Sequence, residues 1–239
     1  MRRIQSVILG MALIIPCSFS YATNVLGLDL GISEIQNLGN TASFPLGYST
    51  FQYTPNNTTK DPSRFGAYVA KQFSLSSLNA LQIGVSYHYI TTMSVNGTLE
   101  QGISPPFVPF SYSYSLHSSQ LLAEGKWVHQ WREAYYPYAA AGIGAGFNHA
   151  QNYATNIPDF MTLTPYYSNH SSTSFSYSLG LGLDYALTKS ITAGLGYRFS
   201  DLGHFALGNG AIRNILVTSP LSQSHLYLNT LLIELNWYI

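Results

Sequence analysis

Residues 180–199 read GLGLDYALTKSITAGLGYRF, and this stretch decides the fold. Gly180, Gly182, Gly194 and Gly196 alternate with Leu181, Leu183, Leu195 and Tyr197, in two bursts divided by the polar residues 188–190. A period of two is the signature of a strand, here with one small face and one apolar face. A nucleotide-binding loop would need G-x-G-x-x-G between a strand and a helix start. These glycines, like Gly142, Gly144 and Gly146, continue the alternation with no helical pattern after them. Nucleotide binding therefore lacks its required context. In a barrel of about eight strands the interior is just wide enough for side chains to fill. Glycines on the inward face of such a barrel make room for bulky neighbours.

The same alternation runs through the chain. Leu26, Leu28, Leu30 and Ile32 alternate with Gly27, Asp29, Gly31 and Ser33, and Leu81, Ile83, Val85, Tyr87 and Tyr89 with Gln82, Gly84, Ser86 and His88. The pattern predicts strands near 24–36, 63–75, 80–95, 111–131, 137–153, 173–187, 191–203 and 223–239. Their connections alternate strictly. Those near 76–79, 132–136 and 188–190 are short, while those near 37–62, 96–110, 154–172 and 204–222 are long and rich in Asn, Ser, Gly and Pro. Outer-membrane barrels have this asymmetry, with short periplasmic turns and long external loops.

Composition agrees. The 239 residues are 46% hydrophobic and only 8% charged, whereas soluble domains carry about 25% charged residues. Past the N-terminus no stretch approaches the ~20 apolar residues of a spanning helix, so the apolar content is distributed. A strand of ~10 tilted residues crosses the hydrocarbon, and each candidate is long enough. An open edge in lipid would strand backbone N–H and C=O groups, so the first and last strands are expected to pair.

The N-terminus, MRRIQSVILGMALIIPCSFSYA, has the physics of a secretion signal. Arg2 and Arg3 form its charged end, Ile4–Ile15 its apolar region and Ser20-x-Ala22 a small-residue cleavage site. The expected domains are a cleaved signal over 1–22 and a barrel over 23–239. Cys17, the only cysteine, would leave with the signal, and Pro16 before it departs from a lipidation pattern. The remaining chain is slightly acidic and has no basic patch, which argues against a nucleic-acid partner.

The run PYAAAGIGAGF (137–147), the hairpin GLGLDYALTKSITAGLGYRFSDLG (180–203) and a chain ending on a strand resemble the small opacity-protein/OmpA-type outer-membrane barrels of the porin-like superfamily. The resemblance covers essentially all of 23–239. It implies an all-β fold, a closed antiparallel eight-stranded transmembrane up-and-down barrel, in the outer membrane of a Gram-negative bacterium. It also implies outer-membrane lipid and lipopolysaccharide as partners, with the barrel-assembly machinery engaged through the C-terminal strand. Family members usually end on an aromatic, whereas Trp237 and Tyr238 here precede Ile239. No peptidoglycan-binding segment of the OmpA kind is expected after the barrel.

Strand parity points Asp29, Glu124, Lys126, Asp184, Arg198 and Glu234 inward. At roughly 2.4 Å of height per tilted residue they form one band, about 10–20 Å above the inner rim. Arg198, between the strands of Asp184 and Glu234, is expected to bridge both carboxylates with its planar fork. The band is read as a lumenal charge network that fills the barrel, or alternatively as a gate. Trp127, Trp131, Tyr135, Tyr136, Tyr138, Trp237 and Tyr238 are expected to form an aromatic girdle at the periplasmic rim, with Tyr89, Phe147, Tyr153, Phe175 and Phe199 near the other. Lys71 could snorkel to the interface.

No catalytic set emerges. Ser224 and His225 point to opposite faces of a strand, and His225 and Glu234 are roughly 30 Å apart along it. The histidines show no metal-ligand spacing, so neither metal nor cofactor is expected. The apolar clusters of FALGNGAIRNILV (205–217), like SPPFVPFSYSYS (104–115), are either a binding surface or a lid over the mouth. The expected function is a non-enzymatic structural or surface-interaction role, adhesin- or opacity-like, with a host or environmental ligand met by the loops. The alternatives are a small porin-like channel gated by the charge network and a lipid-modifying outer-membrane enzyme.

Overall fold

A computed structural model describes residues 22–36, 38–46, 49–56, 61–102, 110–157, 165–212, 215–217 and 221–239. The expected signal, residues 1–21 in particular, lies outside the described residues, as do residues 103–109 of the Pro-rich stretch. Eight strands build the body: β1 (Thr23–Gln36), β2 (Ser63–Ser74), β3 (Asn79–Gly102), β4 (Phe110–His129), β5 (Tyr135–Asn156), β6 (His170–Ala186), β7 (Ile191–Asp201) and β8 (Tyr227–Tyr238). Each pairs antiparallel with its neighbours in sequence. β1 pairs with β8 from Val25↔Tyr238 to Gln36↔Tyr227, so the sheet closes into a ring. The seam is complete at its end, where Asn24 and Ile239 exchange N–H···O bonds of 3.0 and 2.9 Å.

The surface is inverted relative to a water-soluble domain. Leu181, Leu195, Leu231 and Ile233 are 60–68% exposed on the outer face, while Arg198 and Glu234 are at most 6% exposed inside. Tight hairpins at 75–78, 130–134 and 187–190 close one end. No helix among the described residues is long and apolar enough to cross a membrane.

The long-loop end departs from expectation. The strand of 24 residues, β3, runs through Asn96-Gly97 to Gly102, and β4 starts at Phe110, so much of the expected loop 96–110 is strand. Asn-Gly suggests a turn, but here Gly97 lies between Pro55 and Tyr112 with ladders on both sides. Tertiary pairing overrides local preference. The partner on one side is a hairpin, Ala42–Leu46 with Ser49–Pro55, which continues the wall above β2. In the last long connection Phe205–Ala206 pairs with Ser222–Gln223, and Gly210–Ile212 lies between Ile215–Val217 and Tyr166–Tyr167. β8 begins at Tyr227, later than the alternation from 223 suggests.

Two irregularities reverse the inward parity. In β3 the register shifts between Ile90 and Met93, so even residues face inward below it and odd residues above. In β5 Asn152 (φ 58°) marks a bulge against β4, and Tyr153 turns inward. β4, unbroken, buries every even residue from Phe110 to Val128.

The lumen is therefore filled in two layers. Polar and charged side chains occupy the middle of the ring, among them Arg64, Gln82, His88, Gln120, Glu124 and Arg198. Above them Phe51, Tyr53, Met93, Leu99, Tyr167 and Leu202 belong to one apolar cluster that the loop segments join.

Candidate functional site

All six charged side chains expected in the lumen face it, but their pairing differs from expectation. Asp184, Gly194, Glu234, Asp29, Gly66 and His88 are cross-strand partners in one row around the wall, from β6 through β7, β8, β1 and β2 to β3. Glycine makes room for the carboxylates in this row. A Cβ at Gly194 would collide with the Asp184 carboxylate, and one at Gly66 with the Asp29 carboxylate.

Arg198 lies four residues above Gly194 on β7, about 13 Å along the strand from the Asp184 row. It does not bridge Asp184 and Glu234. It crosses the lumen instead, donating from Nη1 and Nη2 to Oε2 and Oε1 of Glu124 on β4 at 2.8 and 2.9 Å. Its Nη2 lies 3.9 Å from Glu234. The cation that joins Asp184 to Glu234 is Lys126, also from β4, at 2.9 and 2.7 Å. Charge-assisted and bidentate bonds of this kind are the stronger ones. Ser86 donates a further bond to Glu124 at 2.7 Å.

Two members were missed by the sequence reading. Arg64, fully buried, places Nε 3.9 Å from Asp29, and none of its three nitrogens has a hydrogen-bond partner among the described residues. His88 lies between Asp29 (3.5 Å) and Glu124 (3.8 Å). Arg64 is the second residue of β2, directly after a polar connection, where parity is hard to assign. Its even spacing from Gly66, Tyr68 and Ala70 was the available signal. Four carboxylates (Asp29, Glu124, Asp184, Glu234) thus meet three permanent cations (Arg64, Lys126, Arg198). The void left among Asp29, Tyr68, His88, Glu124, Lys126 and Arg198 is about 10 Å³, room for at most one water. Below it a vestibule of about 620 Å³ opens at the short-turn end, beside Gln72, Asn79, Tyr136 and Tyr238.

The girdle also divides. Trp127, Trp131 and Tyr135 are 40–64% exposed on the outer face, and Trp237 shares that face with Leu231 and Ile233. Tyr136, Tyr138 and Tyr238 have the opposite parity and point inward, so they are not girdle residues. Tyr138 puts its ring 3.7 Å from the Lys126 ammonium, a cation–π contact, and fills the space left by Gly182 and Gly196. Its even spacing from Ala140 and Gly142 carries it inside. At the other rim Tyr89, Phe147 and Phe175 are exposed, and Phe199 stacks on Tyr227 at 5.6 Å. Tyr153, expected there, is turned inward by the Asn152 bulge and hydrogen-bonds the Tyr53 hydroxyl at 3.1 Å.

At the long-loop end Phe205, Leu207, Ile212, Leu221 and Leu226 are buried in the apolar layer, as a lid would be. Phe110 joins them. Tyr53, Tyr112, Tyr153 and Tyr167 form a chain of ring contacts with centroids 4.9–6.5 Å apart. Burial pushes the Tyr112 hydroxyl up to about 12 and that of Tyr53 higher still, so the cluster stays uncharged. Tyr166, Ile215 and Leu216 remain 54–70% exposed. His225, 59% exposed, pairs with Asp201 at 2.8 Å rather than with Glu234, and Ser224 makes no described contact with it. No group of three or more His, Cys, Asp or Glu among the described residues could hold a metal.

No family model and no curated protein matches the sequence. Among solved structures the chain is similar to Neisserial surface protein A, at 12% identity and a TM-score of 0.41, over 91% of this chain and 99% of that one. It is similar to Ail, the attachment invasion locus protein of Yersinia pestis, at 10% identity and a TM-score of 0.38, over 90% and 99%. It is also similar to the outer membrane protein OprG from Pseudomonas aeruginosa, at 10% identity and a TM-score of 0.41, over 92% and 97%. The chain is an all-β protein closed as a ring of eight antiparallel strands.

Proposed function

We propose that this protein spans the outer membrane as a sealed barrel and that its role is surface interaction carried by the long-loop end. The observation that carries the proposal is the filled lumen. A crossed ion-pair network closes the middle of the ring and an apolar layer closes the long-loop end. The outer face supplies the membrane-spanning surface: rows of exposed Leu, Ile and Val, bounded by aromatic side chains at both rims. Outer-leaflet glycolipid is the partner at the upper rim, and the β8 edge is what assembly machinery would meet before the seam closes. What remains for a protein partner is the far side of the lid, where Tyr166, Ala211 and Leu216 are cross-strand neighbours on one face. Tyr166 and Leu216 are exposed there, and exposed apolar patches mark interaction sites. No reaction is assigned to the protein.

Two measurements test this reading. The purified barrel in a planar bilayer should give no discrete conductance steps, and steady steps in the unmodified protein would replace the proposal with the channel reading. Cells displaying the chain should attach to an epithelial monolayer above isogenic cells that lack it. Tyr166→Ser with Leu216→Ser should remove that excess, and no excess in the parent would overturn the interactive role.

A further inference from the structure

Five of the seven histidines, His117, His149, His170, His204 and His225, belong to the long-loop end, and two of them are tied to each other. His117 on β4 and His149 on β5 are direct cross-strand partners, one step above the Ser119↔Phe147 pair of the upper aromatic row. Both have the outward parity of their strands, and both are half-buried.

Their four ring nitrogens are all engaged. His117 Nδ1 lies 3.2 Å from Thr92 Oγ1, and His149 Nδ1 lies 2.7 Å from Ser171 Oγ. The two Nε2 atoms converge on one amide: His117 Nε2 is 2.9 Å from Gln151 Nε2, and His149 Nε2 is 2.9 Å from Gln151 Oε1. The hydroxyls orient both rings from behind, as outer partners do for metal-binding imidazoles. A hydroxyl both donates and accepts, so either ring can carry its proton on Nδ1 and leave Nε2 as a lone pair.

We propose that His117, His149 and Gln151 form a binding site for one divalent transition-metal ion of the imidazole-preferring class, such as Cu²⁺ or Zn²⁺, on the outer wall of the barrel. The two Nε2 atoms are the ligands. His117 already offers its Nε2 lone pair to the Gln151 amide. His149 now donates Nε2–H to Gln151 Oε1, so binding moves that proton to Nδ1, where Ser171 Oγ accepts it. No proton leaves the site, since neutral imidazole is the ligand in each case. Gln151 rotates to give its carbonyl oxygen as a third ligand, and water completes the sphere. Imidazole sites favour Cu²⁺ over Zn²⁺ in affinity, which fixes the expected order. The sequence hid the site because its ligands come from two strands with no common spacing. Only the β4–β5 register brings residue 117 beside residue 149.

The test uses untagged protein purified from the outer membrane in detergent, titrated with Cu²⁺ and read by calorimetry and electron paramagnetic resonance. Each variant is first required to show the heat-dependent gel mobility of a folded barrel. One ion should bind per chain with superhyperfine structure from two nitrogens, and excess Zn²⁺ should displace it only at higher concentration. His117→Ala and His149→Ala should each leave a one-nitrogen signal. Thr92→Val and Ser171→Ala should keep both nitrogens yet weaken binding by about tenfold or more, as expected for loss of an outer partner. His225→Ala should change nothing. Binding that survives His117→Ala/His149→Ala, or that His225→Ala removes, would overturn the assignment, as would the absence of a two-nitrogen signal.

Discussion

At the residue scale, the glycines test how tightly the wall is filled. Gly144 and Gly125 stand on the neighbouring strands β5 and β4, but a Cβ added at each meets different surroundings. At Gly144 it would run into the Leu121 carbonyl oxygen, with Leu122 Cα at 3.0 Å, and backbone cannot step aside. At Gly125 the nearest atom is the Gln82 carbonyl oxygen at 4.0 Å. Gly144→Ala should therefore cost about 1–3 kcal/mol as overpacking does, while Gly125→Ala should stay within about 0.5 kcal/mol of the parent. The urea midpoint of the folded gel band measures both, and equal midpoints would contradict the packing argument. Lys126 gives a second test. Lys126→Met leaves Asp184 and Glu234 buried without their shared cation, a loss of about 3–5 kcal/mol. Adding Asp184→Asn and Glu234→Gln should recover part of it, as coupled neighbours do. The inward direction of these charges was legible, because parity alone sets it. Their partners were not. Reasoning from adjacent strands joins Arg198 to Asp184 and Glu234, but side chains this long in a ring this narrow reach the opposite wall.

At the element scale, the eight ring strands and the three short turns were legible from alternation, since each outward face must be apolar over its whole span. What alternation could not show is where it changes phase. A bulge inserts one residue and re-aims every side chain beyond it. Nothing in FNHAQNYATN distinguishes Asn152 as the extra residue, and so Tyr153 was expected outside. Deleting Asn152 would leave Tyr153 inward, at the even place after Gln151 and opposite Tyr114. Its anchoring role is therefore tested by Tyr153→Ala, which removes the hydrogen bond to Tyr53 and the ring contact with Tyr167. The arm Ser49–Pro55, held through Tyr53, should loosen while the eight-stranded ring stays closed. Limited proteolysis reads this directly: new cleavage within 42–55 with an unchanged heat-shifted band is expected, and protection equal to the parent would show that Tyr153 does not anchor the arm.

At the scale of the whole molecule, the two layers of the lumen act in series. Charge closes the middle, where Glu124 and Lys126 of β4 reach across to β6, β7 and β8. Apolar packing closes the long-loop end, where segments from four connections meet. The layers differ in physics. The lower one depends on paired charges held in a narrow space, and the upper one on burial that needs no partner of opposite sign. Current through such a lumen requires both to open, so each single opening should be silent. Arg198→Ala frees Glu124 from its bidentate partner but leaves the apolar layer above it intact. Replacing 205–226 by a short turn uncovers the apolar layer but leaves Lys126 and Arg198 across the middle. In planar bilayers each change alone should give no discrete steps, and the two together should give small steps that favour cations, because removing Arg198 leaves an excess of carboxylates on the wall. Conduction by Arg198→Ala alone would mean that the upper layer is porous, and the charged band would then be the gate. Silence in the combined variant, with the folded band retained, would place a further barrier at the vestibule, where Tyr136 and Tyr238 line the short-turn mouth.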